Sequence, residues 1–286
     1  MKITFLGTGA GESYPGLWCC CPHCAYARKE GGKNIRANSC AVVDDRLMLD
    51  MGPMCFHNAA RFGVDLTQVT TLLVTHPHPD HLYPRHLHWR ETDEASLHLA
   101  YEEQITFGGP RFTPLPELQI YGNTYTEQIL HPMLAEAEKL RIRFHLIREN
   151  ESFSAGEYQV TPIRNQHHEA GFAHSYILQH GGKTMLYGLD TGGFDPDMME
   201  TLLAHRYDLI IMEGTMGIRT TEGGHMSLKK NALFRHTLME SGCLKEGSRF
   251  LLTHMSPHWC PPHDLYTMMA GNCGMEVAYD GMVVEI

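Results

Sequence analysis

Val69-Thr70-Thr71-Leu72-Leu73-Val74-Thr75-His76-Pro77-His78-Pro79-Asp80-His81-Leu82 is the stretch from which the rest of the chain is read. Its first half, residues 69–75, is β-branched and apolar, with the length expected of a buried strand. Its second half places three histidines and one aspartate within six residues, as His-x-His-x-Asp-His. Pro77 and Pro79 cannot continue helix or sheet, so these polar residues begin on a loop where the strand stops. The alternate residues His76, His78 and Asp80 can converge on one point, while His81 steps off toward a second. Imidazole and carboxylate together suit zinc, manganese or iron. A chain with 20 His among 286 residues clusters some by accident, but this ordered pattern behind a strand favours metal binding.

Composition bounds what surrounds that loop. No Ser/Gly/Pro linker, low-complexity run or repeat divides the chain, so residues 1–286 read as a single domain with an elaborated segment at about 82–118. The hydrophobic fraction of 43% supports a sizeable core. A formal net charge of −10 argues against a nucleic-acid surface, because phosphate-dense partners need concentrated Lys and Arg. It does not exclude a small phosphate ester, whose charge bound metals would neutralise. No apolar segment approaches membrane-spanning length, and the start Met1-Lys2-Ile3-Thr4-Phe5-Leu6-Gly7 is broken too soon by glycine for a signal peptide. Nine cysteines, an odd number with Cys19-Cys20-Cys21 adjacent, do not resemble a secreted disulfide framework, and a cytoplasmic location is expected.

Strands are expected at 2–7, 38–43, 46–50, 118–122, 142–147, 158–163, 173–179, 184–189, 207–212 and 250–254, with short closing strands around 279–282. Helices are expected at 56–62, 124–140 and 198–205, with a further one of about fifteen residues capped by Ser227. Strands clustered in two halves, each with helices, fit two sheets packed together with helices outside. The turn Gly7-Thr8-Gly9-Ala10-Gly11 invites a dinucleotide-binding reading, but a loop follows it and not the helix such a motif must open, so that reading is rejected. Residues 85–90 read as an ordinary solvated or packed helix. Residues 92–113 read equally as a lid, a homodimer contact or an excursion, and the sequence does not choose.

Two further patterns carry chemistry. Cys19, Cys21 and Cys24 form Cys-x-Cys-x-x-Cys, a spacing that lets three thiolates face one tetrahedral ion, with a fourth ligand from elsewhere. Thr253-His254 repeats the strand-Thr-His grammar of Thr75-His76, and Asp190 likewise follows an apolar run. His167 and His168 follow the strand at 158–163, and His225 stands just ahead of the Ser227-capped helix.

The segment His76 to His81 resembles the signature of the metallo-β-lactamase superfamily of dinuclear metallohydrolases, whose fold is a four-layer αββα sandwich of the α/β class. Within it, the likeness is greatest to the phosphoribosyl cyclic phosphodiesterases of phosphonate degradation, in the ribonuclease Z-like branch. The matching features are Gly7-Thr8-Gly9, the three cysteines, His76 to His81, His167, Asp190-Thr191-Gly192, His225, Thr253-His254 and Asp280-Gly281-Met282. The resemblance implies two active-site divalent metals, zinc or manganese, and one structural zinc. It places His76, His78 and His167 on the first metal and Asp80, His81 and His254 on the second, with Asp190 spanning both. Counting from Val160-Thr161-Pro162 favours His167 over His168. It also puts the Asp50-Met51-Gly52 turn beneath the metals as support.

For the structural zinc it implies Cys19, Cys21, Cys24 and His258. The spacing from His254 to His258 is one residue longer than the family's, which leaves Cys260 or His263 as substitutes. The implied reaction is hydrolysis of a small phosphate diester, cyclic phosphates included, by a hydroxide held between the metals. Asp80 aims that hydroxide and His225 protonates the leaving oxygen. Two alternatives stand beside it. Ribonuclease Z-like RNA processing usually relies on a basic arm, whereas the extra stretch here carries Glu91, Asp93, Glu94, Glu102 and Glu103. A non-catalytic metal-containing binding protein of the same fold is disfavoured by the full ligand set.

Overall fold

The computed structural model describes residues 1–91, 115–219 and 224–286. The first half builds one seven-stranded sheet from β1 (Lys2–Gly7), β2 (Cys40–Val43), β3 (Leu47–Leu49), β4 (Thr71–Leu73), β5 (Leu118–Gly122) and β6 (Ile142–Leu146). The second half builds another from β7 (Phe153–Ala155), β8 (Tyr158–Arg164), β9 (His174–His180), β10 (Lys183–Gly188), β11 (Tyr207–Glu213), β12 (Leu244–Thr253) and β13 (Glu276–Val277). The last strand, β14 (Val283–Glu285), returns to the first sheet beside β1. The sheet orders are β14-β1-β2-β3-β4-β5-β6 and β13-β12-β11-β10-β9-β8-β7.

Alternation along each strand makes the layers. In β3, Leu47 and Leu49 face the second sheet while Met48 faces outward. In β11, Leu209 and Ile211 face the first sheet while Ile210 and Met212 face the helices Pro196–Leu203, Leu228–Glu240 and His263–Gly271. Helices Cys55–Phe62 and Thr124–Leu134 cover the outer face of the first sheet. Both faces of the central strands are therefore apolar, as strands covered on two sides must be. The result is the four-layer α/β/β/α sandwich expected from the sequence. Truncating a fully buried residue such as Ile211 or Leu49 to alanine is worth about 2–5 kcal/mol of stability.

Local differences from expectation have local causes. The helix expected at 124–140 stops at Leu134 and resumes as one turn, Ala137–Leu140, because Pro132 removes a backbone donor within its last turns. Residues 84–90 form a 3₁₀ helix opened by Pro84. The strand expected at 69–75 is ordered as β-structure only at Thr71–Leu73, its ends being claimed by the loop chemistry described below. Helices Pro22–Glu30 and His263–Gly271, and strand β7, had no periodic signal strong enough to be read. Asp44 and Asp45 both take positive φ, 50° and 57°, in the tight hairpin between β2 and β3. Ser227 caps its helix by accepting the Lys230 N–H at 3.3 Å. The lid, homodimer and acidic-arm readings of residues 92–113 lie outside the described residues. Among the described residues no helix is long and apolar enough to cross a membrane.

Candidate metal centre

Strand direction brings the distant polar residues together. β10, β11 and β12 run parallel in register, so Asp190, Glu213 and His254 stand at the same edge of the second sheet. β8 is antiparallel to β9, and β9 to β10, which returns the end of β8 and its His167 to that edge. In the first sheet β3 and β4 are parallel, which sets Asp50 beside the loop from Thr75 to His81. Asp50, Asp190 and His254 each leave their strand with positive φ, 60°, 45° and 58°. Non-glycine residues hold that conformation at a cost of about 1–3 kcal/mol, which surrounding structure must offset.

Three groups of ligand-type atoms result here among the described residues, each with all members within 4.8 Å of one another: His76, His78, His167 and Asp190; Asp80, His81, Asp190 and His254; and Asp190, Glu213 and His225. Asp190 belongs to all three. Its Oδ2 lies 3.0 Å from His76 Nε2 and 3.2 Å from His81 Nε2, and its Oδ1 lies 3.2 Å from His254 Nε2. Asp80 Oδ2 lies 3.2 Å from His81 Nε2 and 3.5 Å from His254 Nε2. His167 enters the first group, 3.5 Å from His78 Nδ1, whereas His168 is exposed and outside it.

Outer partners fix which nitrogen each ring turns inward. His81 Nδ1 donates to Asp50 Oδ2 at 2.7 Å. The Thr75 hydroxyl also donates to Asp50, so it receives the Nδ1–H of His76 at 3.1 Å. The Thr215 hydroxyl donates to the His254 carbonyl and accepts from His254 Nδ1 at 2.8 Å. His76, His81 and His254 therefore all present Nε2 to the centre, and His78 presents Nδ1. Oriented imidazoles backed by hydroxyl and carboxylate are the arrangement that fixes ligand tautomers around a metal.

Electrostatics agree with that orientation. Burial, reinforced by the neighbouring His81, pushes His76 down to about 3, and burial takes His167 to about 4, so both stay neutral with a free lone pair. Burial opposes a charge on His81 as well, yet Asp80, Asp190 and Asp50 together raise it well above its ordinary value. Burial would raise Asp190, but His254 and His81 hold it well below the usual carboxylate range. The pocket is rich in negative charge and favours any cation that enters. Asp190 Oδ1 is also buried with no hydrogen-bond donor, a costly state that a metal ion would relieve. An all-nitrogen-and-oxygen donor set of this kind fits zinc or manganese.

Glu213 is the residue that sequence reasoning missed. Fully buried at the end of β11, it accepts from the Thr191 amide at 2.7 Å and from His225 Nδ1 at 2.9 Å. Burial disfavours an imidazolium, but the Glu213 charge and hydrogen bond, with Asp190 behind, raise His225 to about 9. His225 Nδ1 also lies 3.6 Å from Asp190 Oδ1. The only signal for Glu213 was an acidic residue closing an otherwise apolar run. Thr215 was equally unmarked.

Two glycine-bearing turns brace the loop. A Cβ on Gly52 would meet the Asp80 carbonyl at 2.2 Å, so the Asp50-Met51-Gly52 turn tolerates no side chain there. Asp280 accepts from Thr8 Oγ1 and from the Ala37 amide, each at 2.7 Å, and fastens the Gly7-Thr8-Gly9 turn. An apolar cavity of about 940 Å³, lined by Met48, Phe56, Leu72, Tyr83 and Trp89 among others, shares no residue with the cluster. Concavity alone would have pointed away from the chemistry.

The cysteine motif gathers too. The sulfurs of Cys19, Cys21 and Cys24 lie within 4.8 Å of one another. Of the three residues considered as a fourth partner, His258 adjoins them, with Nδ1 3.8 Å from Cys19 Sγ. Cys260 is buried with its thiol on the Gly214 carbonyl, and His263 packs its Nδ1 3.0 Å from Arg36 Nη2. The structure sets both of these elsewhere.

Residues 45–255 match the family model described as beta-lactamase superfamily domain. No curated protein matches the sequence. Several solved structures share the fold. A diphosphatase from the PhnP family is 19% identical with a TM-score of 0.72, covering 100% of this chain and 96% of its own. Zinc-bound PqqB from Methylobacterium extorquens is 18% identical with a TM-score of 0.69, covering 100% of both chains. The short form of human tRNase Z is 20% identical with a TM-score of 0.64, covering 100% of this chain and 99% of its own.

Proposed function

The chain belongs to the beta-lactamase superfamily, and from that premise we propose that it is a metal-dependent hydrolase of small phosphate diesters, cyclic esters included. The proposed centre is dinuclear, with His76, His78 and His167 on one ion, Asp80, His81 and His254 on the other, and Asp190 shared. The observation that carries this reading is the Asp190 carboxylate, buried between two sets of inward-turned imidazoles with one oxygen lacking any donor. When bound, divalent ions supply Lewis-acid charge for phosphoryl oxygens and lower the pKa of water so that a nucleophile forms near neutral pH.

The chain's own groups do the rest. Asp80 is the least buried of the acidic residues in the cluster, its side chain 15% exposed, and its free oxygen is placed to accept a hydrogen bond from the attacking water and aim it. His225 is proposed as the general acid. Its Nδ1 is taken by Glu213, so Nε2 carries the proton for the departing oxygen, a role typically worth ~10²–10⁴-fold. Glu213 favours the protonated ring that this role requires. The PhnP-family diphosphatase and tRNase Z act on phosphorus by their names, which supports phosphoryl over lactam or thioester chemistry. Between them, the net charge of −10 favours a small ester over RNA.

The test is a metal count joined to a substrate screen. Protein purified and loaded with zinc or manganese is expected to hold about three ions per chain and to hydrolyse aryl or cyclic phosphodiesters, with activity lost on chelation and restored by metal. A chain that holds only one, cysteine-bound ion, or that holds three yet turns over no phosphodiester, sinks the proposal.

A further inference from the structure

The turn that follows His254 carries a clamp with no part in the chemistry above. Resting on the reading of Cys19, Cys21 and Cys24 as a metal site, we infer that Glu12 is the positioning residue that turns His258 toward those sulfurs as the fourth ligand.

Backbone amides already point at the sulfurs. Cys19 Sγ accepts from the Cys21 amide at 3.4 Å, Cys21 Sγ from the Cys24 amide at 3.5 Å and Cys24 Sγ from the Gly16 amide at 3.2 Å. A tetrahedral ion with metal–sulfur ~2.3 Å and metal–nitrogen ~2.0 Å sets sulfur and nitrogen ~3.5 Å apart. His258 Nδ1 stands 3.8 Å from Cys19 Sγ, so a small rotation of the ring closes that site.

What holds the ring there is on its other side. His258 Nε2 lies 3.6 Å from Glu12 Oε1. The same Glu12 oxygen accepts from Ser256 Oγ at 2.7 Å, and Ser256 Oγ accepts the His258 amide at 3.3 Å. One hydroxyl thus ties the carboxylate to the main chain that carries the imidazole. The turn is pressed onto the cysteine loop by His23, whose Nδ1 meets the Pro257 carbonyl at 3.0 Å, and by Gly16, where a Cβ would sit 3.1 Å from Cys19 Cβ and 3.4 Å from Pro257 Cγ. With Nδ1 facing sulfur, Nε2 carries the proton, and the Glu12 carboxylate stands beside it at ion-pair distance. A carboxylate in that position orients a metal-bound histidine and raises its basicity. Glu12 is 36% exposed and His258 46%, so solvent screens the pair.

Cobalt replaces zinc in thiolate sites and gives a sulfur-to-cobalt charge-transfer band that reports only the cysteine-held ion. Cobalt-loaded full-length protein is challenged with excess chelator and the decay of that band is timed. Glu12→Ala is expected to speed the loss about tenfold, the low end of the ~10–100-fold range for an outer-shell partner. Glu12→Gln, which keeps the oxygen that Ser256 bonds to, falls between, and Glu12→Asp restores most of the retention. In a His258→Ala background, Glu12→Ala should change the rate by no more than about twofold, because the effect runs through the ring. Equal acceleration in both backgrounds, or none in either, overturns the inference. Wild-type protein without the charge-transfer band defeats the reading of the cysteines themselves, and the inference with it. No outcome depends on turnover, so failure of the hydrolase proposal is distinguishable from failure here.

Discussion

The first sheet delivers His76, His78, Asp80 and His81 from one loop behind β4, whereas the second delivers His167, Asp190, Glu213 and His254 singly, from the ends of four strands. The loop on the first sheet is internally braced. Asp50 accepts from the Thr75 amide at 2.7 Å and from His81, and Gly52 lies against the Asp80 carbonyl. The second set is braced between strands, Glu213 accepting the Thr191 amide and Thr215 holding His254. Asp190, Glu213 and His254 keep station through parallel pairing of β10, β11 and β12, and His167 through the antiparallel pairing of β8 and β9 beside them. The contrast separates two kinds of residue: those that the sheets share, and those that one side orients for itself.

Asp190 is the residue on which the two halves meet, and changing it is the largest test. Asp190→Ala is expected to strip both active-site ions and to lower turnover by more than the roughly 10²-fold cost of losing an outer-shell partner. Metal analysis beside an aryl phosphodiester assay checks it, and retained activity with both ions bound would show that the sheets do not share this carboxylate. Next comes His225, supplied by the second half alone. His225→Ala should slow diesters with poor leaving groups by ~10²–10⁴-fold while nearly sparing p-nitrophenyl esters, which need no acid. Equal losses for both would remove its acid role.

Asp50 tests the brace on the first side. Asp50→Asn keeps the shape but weakens the acceptor for His81 and Thr75. A loss of ~10–100-fold in affinity is expected from metal titration for the ion of His81, which Asp50 bonds directly, with a smaller loss for that of His76, which Asp50 reaches only through Thr75. Equal loss at both sites would mean that the halves are coupled more tightly than the hydrogen bonds indicate. The smallest effect falls on His168. His168→Ala should leave kcat/KM within about twofold, since its exposed ring meets His78 only edge-on at 5.0 Å and offers no atom to the group, while His167→Ala should cost metal. The reverse order would reassign the third histidine of the first group.

The loop from His76 to His81 was legible because its ligand-type side chains are neighbours in sequence and sit behind a strand whose apolar run is equally plain. Asp190 and His254 were legible only as residues at strand ends, and the choice of His167 over His168 rested on a count along a loop. His168 takes a positive φ of 54°, and the two adjacent rings meet edge to face at 4.7 Å with His167 buried and His168 exposed. Glu213 and Thr215 were illegible, because nothing near them in sequence shows that they meet His225 and His254. The helix Pro22–Glu30 was hidden by the cysteines ahead of it, and residues 124–140 by a periodicity that ignored Pro132.

By itself the sequence settled what is periodic or contiguous: the layered α/β architecture, the loop of clustered histidines and aspartate, and the cysteine spacing. Those properties are carried by residues within a few positions of one another, where covalent geometry limits what the chain can do. The tertiary structure alone decided which nitrogen His76, His81 and His254 turn inward, that Asp190 is common to the histidine groups, that Glu213 holds His225, and that Cys260 and His263 turn away while His258 stays. Each of these depends on partners far apart in the chain, and strand register, set by burial of apolar faces, is what brings them within hydrogen-bond reach.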